Sequence, residues 1–440
     1  MLLPSPVPLV AIPEVSGISG SPVGLRPSTD LVVRRDRSQV WVVATALVAL
    51  AIKLVIALNT FGTNDVIAFY QFASSLTEHG LRWCYENLVA FNHPPLVAYS
   101  LEGILRLSHE PFLERNGISF PFLLRLPGII ADFITVLILL RVNQQTQLKI
   151  APWALHLFAL SPVSLMVSGF HGNTDPIMVL FLVLASYMVL RNKPIASGIF
   201  FALSCQIKII PLLFFPIFFL FWYAHRGHAR FFLSTTTASL LLWSGPLLNF
   251  PVTFIKNVLS YGSFWGLWGI TYWLRLTGWS QFGRVTFHDF LPAQNLVANL
   301  LKLLIIVAVL VIACRRRTLA AESFFQSIAY AWIIFFVFSP GVCAQYMVWL
   351  APFIVLLSPM LYGYLTMTSA LFLFFFYNTI ADAFPWYIGI SQGSHNEKWL
   401  PWSIWPWTVL IIGMVVLWRN AVKKPSLQLL SFQEAGSKVN

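Results

Sequence analysis

Apolar residues run along this chain in blocks of roughly 20, the length an α-helix needs to cross a hydrocarbon layer about 30 Å thick. Such blocks fall at 40–58, 120–140, 152–169, 230–249, 294–313, 322–339 and 361–380, with shorter ones at 175–190, 195–207, 209–223, 346–358 and 403–418. Together they predict an all-α polytopic membrane bundle of about twelve transmembrane helices. Between the first two blocks the pattern changes. Phe69, Phe72, Ala73 and Leu76 fall at helical spacing with Gln71, Ser74 and Glu78 between them, which predicts an amphipathic helix lying at the membrane interface. A second such helix is expected from about Pro95 to Leu107, with Leu96, Tyr99, Leu101 and Leu105 among its apolar positions. Pro94 and Pro95 fix its entry, because proline suits a first helical turn and restricts the residue before it.

Composition supports the membrane reading: 58% of residues are hydrophobic, only 10% are charged, and the mean hydropathy is +0.74. A soluble chain is excluded. The net charge of +12 changes meaning once its location is considered. Basic residues cluster at Arg34, Arg35 and Arg37, at Arg141 and Lys149, at Arg191 and Lys193, at Arg226 and Arg230, at Arg315 to Arg317, and at Lys423 and Lys424. An even number of spans separates each cluster from the next, so all fall on one side, as the positive-inside rule requires. The excess is topological, and no nucleic-acid partner is expected. Both termini are then cytoplasmic, and residues 59–119, 170–175, 250–293, 340–345 and 381–402 lie on the other side.

One transmembrane domain is expected over 39–420, with cytoplasmic tails at 1–38 and 421–440. The first tail is rich in Pro, Ser, Gly and Val without helical period and reads as disordered. Its apolar stretch is short and broken by prolines, so the first span is expected to act as an uncleaved anchor. No repeat at a fixed period is evident. Cys84, Cys205, Cys314 and Cys343 lack metal-ligand spacing. Cys84 and Cys343 fall on the same side and could form a disulfide, a connectivity sequence does not decide.

Candidate chemistry collects in the outer turns. Asp65 follows the first span in Phe61-Gly62-Thr63-Asn64-Asp65, and a long polar loop leads on to His93-Pro94-Pro95-Leu96. The turn Gly169-Phe170-His171-Gly172-Asn173-Thr174-Asp175-Pro176 puts His171 and Asp175 at the mouth of the bundle, although Asp175 also suits a plain helix start before Pro176. The block 195–223 lies between two basic clusters and so should cross twice. It holds only two helices of about 13 residues, each about 20 Å long, short of the hydrocarbon layer. Its tip, Gln206-Ile207-Lys208-Ile209-Ile210-Pro211, should therefore sit in a protein-lined or watery cavity, where Lys208 is a candidate anion binder. A single tilted helix with Lys208 in a salt bridge is the alternative. Lys53 and Asp132 fall inside spans and are expected to pair with each other, since ionisable groups there are costly alone. At the turn between two late spans, Gln345, Tyr346 and Trp349 offer an amide and an aromatic wall, a pattern that interfacial aromatic belts also produce.

In order along the chain come an aspartate after the first span, an H-P-P-L helix entry, a G-x-H-G-x-x-D-P turn, a K-x-x-P hairpin and a Q-Y-x-x-W turn. This order resembles the GT-C superfamily of polytopic glycosyltransferases, which use a polyprenyl-phosphate sugar as donor. Within it, the chain looks most like the bacterial mannosyltransferase-like branch related to the glycosylphosphatidylinositol mannosyltransferases. The resemblance covers the organisation of residues 40–420 and rests on short motifs.

That likeness implies an inverting hexosyltransferase, mannose favoured, working on the non-cytoplasmic face of a membrane, the bacterial inner membrane ahead of the endoplasmic reticulum. The acceptor is lipid-linked or a glycan. Asp65 takes the place of the catalytic base. Some members carry a second acidic residue beside it, but Asn64 stands here, which argues against a two-carboxylate metal site; no metal and no other cofactor is expected. Related eukaryotic glucosyltransferases have an aspartate and tyrosine before the paired prolines where this chain has Asn92 and His93, which leaves the sugar open. The late outer loop at 250–293 matches in position a loop that lies near the donor in this superfamily.

A base removes the acceptor proton during attack on the anomeric carbon, while the departing phosphate needs positive charge or hydrogen-bond donors. Lys208, Arg275, Arg284 and His171 are the candidates for donor phosphate, and His93, Asp175, Gln345, Tyr346 and Trp349 for sugar or acceptor. Another polyprenyl-linked glycan ligase or polymerase, and a secondary transporter or flippase, are the competing classes. A ligase would not call for an aspartate after the first span. A transporter would show internal repeats and mid-membrane polar residues.

Overall fold

The computed structural model describes residues 29–88, 90–146, 148, 150–259, 264, 268–283, 290–317, 320–381, 400–417 and 419. The fold is helical, with no strand among these residues. All twelve apolar blocks coincide with helices, but seven are long and apolar enough to cross a membrane: Ser38–Asn59, Phe120–Gln145, Pro152–His171, His228–Asn249, Pro292–Arg316, Ala321–Phe338 and Pro359–Ile380. The remaining five, Asp175–Leu190, Pro194–Ile207, Ile210–Ala224, Ala344–Leu357 and Pro401–Leu417, are shorter apolar helices. By length and composition seven of the roughly twelve expected helices qualify as membrane spans, and the five short ones fall below 20 residues, so the count of twelve is not confirmed. Seven apolar helices of this kind describe a multi-pass membrane protein.

The elements used below are α1 (Thr29–Asn59), α2 (Asn64–Asn87), α3 (Pro95–Ser108), α4 (Phe120–Gln145), α5 (Asp175–Leu190), α6 (Pro194–Ile207), α7 (Phe215–Ala224), α8 (Pro292–Arg316), α9 (Ala321–Phe338) and α10 (Pro359–Ala381). Helices α2 and α3 are the two amphipathic helices of the first loop. The α2 face of Phe69, Phe72, Ala73 and Leu76 is buried, as are Leu101 and Leu105 of α3, in the same core as the bundle. Tyr99 points away and is exposed. Pro95 opens α3 after Pro94, and Gly80 kinks α2 at φ 79°.

Buried ionic groups tie the spans together. Lys53 Nζ lies 2.6 Å from Asp132 Oδ2 and donates to Ser164 Oγ at 2.6 Å. Ser164, at 2.6 Å, and Ser168 both donate to the same carboxylate oxygen. The expected intramembrane pair is present and hydrogen-bonded on both partners, which a charge in low dielectric requires. Arg125 of α4 is fully buried, a feature to which the sequence pattern gave no role. Its guanidinium donates to the carbonyls of Ala57, Thr60, Pro121, Gly169 and Phe170 and to the Thr60 hydroxyl. The end of α1 is thereby sewn to the turn after residue 168.

Among the described residues all four cysteines are free, so the possible Cys84–Cys343 bond is not formed. Residues 1–28 and 421–440, Lys149 and Arg284 lie outside the described residues.

Candidate active site

Helix ends converge on one place. Helix α1 ends at Asn59, the span Pro152–His171 ends at His171, α5 begins at Asp175, α6 ends at Ile207 and α9 ends at Phe338. Alternation along the chain puts these ends together. Arg141, Arg191, Lys193, Arg226 and Arg315 to Arg317 fall at or just beyond the opposite ends of their helices.

The segment Leu165–His171 is a π-helix, a rare form that occurs frequently at functional sites. Its last carbonyls are collected by groups from elsewhere: Arg125 takes those of Gly169 and Phe170, and Thr63 donates to His171 O from both its backbone N and, at 2.8 Å, its hydroxyl. Gly172 then turns the chain at φ +84°, where a Cβ would stand 2.4 Å from Val66 Cγ2. A side chain there would push α2 away from the turn.

Thr63 caps α2, its hydroxyl accepting from Asp65 N at 3.3 Å. Asp65 therefore sits in the first turn of a helix, where the aligned peptide dipoles favour negative charge. Its Oδ2 accepts from His171 Nε2 at 3.0 Å, Asn173 Nδ2 at 2.9 Å and Gln345 Nε2 at 3.4 Å. Oδ1 accepts nothing from the described residues and remains open to take a proton. Burial raises the Asp65 pKa, but the His171 imidazole, the Asn173 amide and Lys208 outweigh it, and the carboxyl stays below its ordinary value. It is an anion at neutral pH.

Asp65 opens into a cavity of about 370 Å³ lined also by Phe69, Phe72, Asn92, His93, Asn173, Lys208, Gln345 and Tyr346. Lys208 follows α6, and a 3₁₀ turn from Ile210 to Phe214 leads into α7. The hairpin is the expected pair of short helices. The ion pair of the alternative reading is present too: Lys208 Nζ lies 2.6 Å from Oδ1 of Asp175, which is fully buried. The ammonium also stands 4.9 Å from the Tyr346 ring centre and 5.3 Å from that of Trp349, two rings stacked at 3.7 Å. Such cation–π contacts hold the charge where it has little water.

His93 is half-buried against Phe69, Phe72 and Phe91. Burial and the nearby Lys208 charge outweigh Asp65 and push its pKa down to about 3, so the ring is neutral at physiological pH. Tyr85 donates to its carbonyl at 2.7 Å and fixes the backbone.

Of the residues named from sequence, Asp65, His93, Lys208, Gln345 and Tyr346 line the cavity, and His171, Asp175 and Trp349 stand behind them. Arg275, on a short helix at Gly269–Leu276, does not line it. Arg284 lies outside the described residues. Sequence reasoning passed over Asn173, which sits in the same turn as His171, and Tyr377, whose hydroxyl is 2.9 Å from His171 Nδ1. Asn173 could have been found as a second polar group beside a glycine. Tyr377 follows a run of phenylalanines and carries no signal.

A carboxylate backed by hydrogen-bond donors and facing a lysine within one cavity has the parts for proton removal next to an anionic leaving group. Residues 123–340 match the model of glycosyltransferase family 87. With the apolar helices, that match supports a membrane glycosyltransferase, which implies a sugar donor, an acceptor and a lipid environment. The matched region carries His171, Asn173, Asp175 and Lys208, and it stops short of Asp65 on one side and Gln345 on the other. No curated protein matches the chain.

Proposed function

We propose that the protein is an inverting hexosyltransferase, of the GT-C kind, that moves a sugar, mannose by preference, from a polyprenyl-phosphate donor to a lipid-linked or glycan acceptor. The observation that carries this reading is the convergence of the Asp65 carboxylate and the Lys208 ammonium on one cavity at the helix ends. The acceptor hydroxyl oxygen attacks the anomeric carbon, and its proton passes to Asp65 Oδ1. The bond from that carbon to the phosphate oxygen breaks, and the electron pair leaves with the polyprenyl phosphate. Lys208 stabilises the added charge, since one contact to Asp175 leaves an ammonium further N–H donors. A phosphate ester is a good leaving group, so no general acid is required.

Neutral His93 and the Gln345 amide orient sugar hydroxyls, and Tyr346 packs against the sugar's apolar face. Asp175 and Trp349 act through Lys208, and His171 acts through Asp65. Arg275 and Arg284 belong to the loop expected near the donor. Charge supports a non-cytoplasmic face for the cavity, since the basic residues cluster at the opposite helix ends and the positive-inside rule favours the cytoplasm for those. A donor anchored by its lipid also favours a site at the membrane boundary, because withdrawing the chain forfeits about 0.8 kcal/mol per methylene.

The test is incubation of purified protein with radiolabelled polyprenyl-phosphate-mannose and a membrane lipid extract. Label appearing in a new, larger glycoconjugate is the expected result. Label released only as free sugar, or transport of the donor without a product, would replace transfer with hydrolysis or flipping.

A further inference from the structure

Behind the carboxylate lies a second hydrogen bond that the transfer chemistry does not itself require. Tyr377 of α10 is fully buried, and its ring stands edge-on to Phe170 at 5.5 Å, which fixes its direction. Its hydroxyl lies 2.9 Å from Nδ1 of His171, whose Nε2 lies 3.0 Å from Asp65 Oδ2. His171 is itself buried, so exchange of its proton with bulk water is restricted.

We propose that Tyr377 is a positioning residue that holds His171 neutral, with its single proton on Nε2, and thereby keeps Asp65 an effective base. A carboxylate can only accept, so the nitrogen facing Asp65 must carry hydrogen. A neutral imidazole has one N–H, which leaves Nδ1 an acceptor and makes the tyrosine hydroxyl the donor. Were His171 an imidazolium, both nitrogens would donate and Asp65 would become half of a close ion pair, poorly suited to removing a proton from an alcohol. In the neutral ring the phenol proton points at the Nδ1 lone pair. The assignment rests on the reading of Asp65 as the base for its catalytic consequence, though not for the tautomer.

The experiment is nitrogen-15 NMR of the full-length protein labelled at histidine in lipid nanodiscs, with the His171 signals assigned by difference from His171→Gln. The wild type should show a protonated Nε2 and an unprotonated Nδ1. Tyr377→Phe should shift His171 toward the other tautomer or the charged form and lower kcat for sugar transfer by about tenfold or more, with KM little changed. Tyr377→Gln, which keeps a donor at this position, should retain the wild-type tautomer and part of the rate, and it carries the test if the Phe variant does not fold. An imidazolium in the wild type, an unchanged tautomer in Tyr377→Phe, or a changed tautomer with an unchanged rate would each overturn the proposal. If the wild type transfers no sugar, the reading of Asp65 fails, and the spectra still decide what Tyr377 does.

Discussion

His93 binds its proton at about 3 when folded and at 6.5 when exposed, so between those values the unfolded chain carries more protons than the native one. Its contribution to stability is therefore complete above pH 6.5 and declines as the pH falls toward 3. At pH 5 the loss is at most about 2 kcal/mol, since each pH step inside that window is worth about 1.4 kcal/mol. Thermal unfolding in detergent should show a midpoint that drops from pH 7 to pH 5, and His93→Asn should flatten that dependence. Identical pH profiles for the two proteins would mean that His93 is not held neutral by its aromatic surroundings. How far the site could be read from sequence differs residue by residue. His171 and Lys208 stood out because a polar or charged group in an apolar chain needs a reason. Asn173 lay in view beside His171, but an amide in a turn is ordinary. Tyr377 was invisible, because a hydroxyl among phenylalanines acquires meaning only when packing points it at His171.

Lys53 and Asp132 join α1 to α4 through a pair in which the lysine is buried and the aspartate partly so, and removing one partner strands a charge. Lys53→Met or Asp132→Asn alone should destabilise by about 3–5 kcal/mol, and the double variant by clearly less. Equal losses in all three, measured by denaturant or thermal unfolding, would mean the pair is not coupled. At Gly172, an added Cβ meets Val66 in a left-handed backbone. Gly172→Ala should cost about 1–3 kcal/mol in backbone strain alone and should separate His171 from Asp65. Adding Val66→Ala should relieve the clash and leave the backbone cost. A Gly172→Ala protein with wild-type stability and transfer would contradict the close seam between α2 and the turn.

The elements themselves were legible because a membrane allows few solutions: each apolar block became a helix, and the 3.6-residue pattern of Phe69, Phe72, Ala73 and Leu76 became the buried face of α2. The π-helical register at Leu165–His171 was not legible, since it is held by carbonyl contacts to Arg125 and Thr63 from distant parts of the chain.

At the scale of the whole molecule, the site and the basic clusters occupy opposite helix ends, and one native residue reports on which end faces the cytoplasm. Cys314 of α8 is the exposed cysteine, beside Arg315 to Arg317. A membrane-impermeant maleimide should label it in inside-out vesicles and not in intact cells. Labelling from outside would reverse the proposed face of the cavity. The role of Asp65 as the base for sugar transfer in this cavity is tested by comparing wild type with Asp65→Asn. The two proteins should be reconstituted at equal amounts with radiolabelled polyprenyl-phosphate-mannose and acceptor lipids. The amide keeps the shape of the carboxylate but cannot take a proton, so transfer should fall by about a hundredfold or more while folding and thermal midpoint stay close to wild type. An Asp65→Asn protein that remains folded and transfers label at a rate near wild type would contradict it.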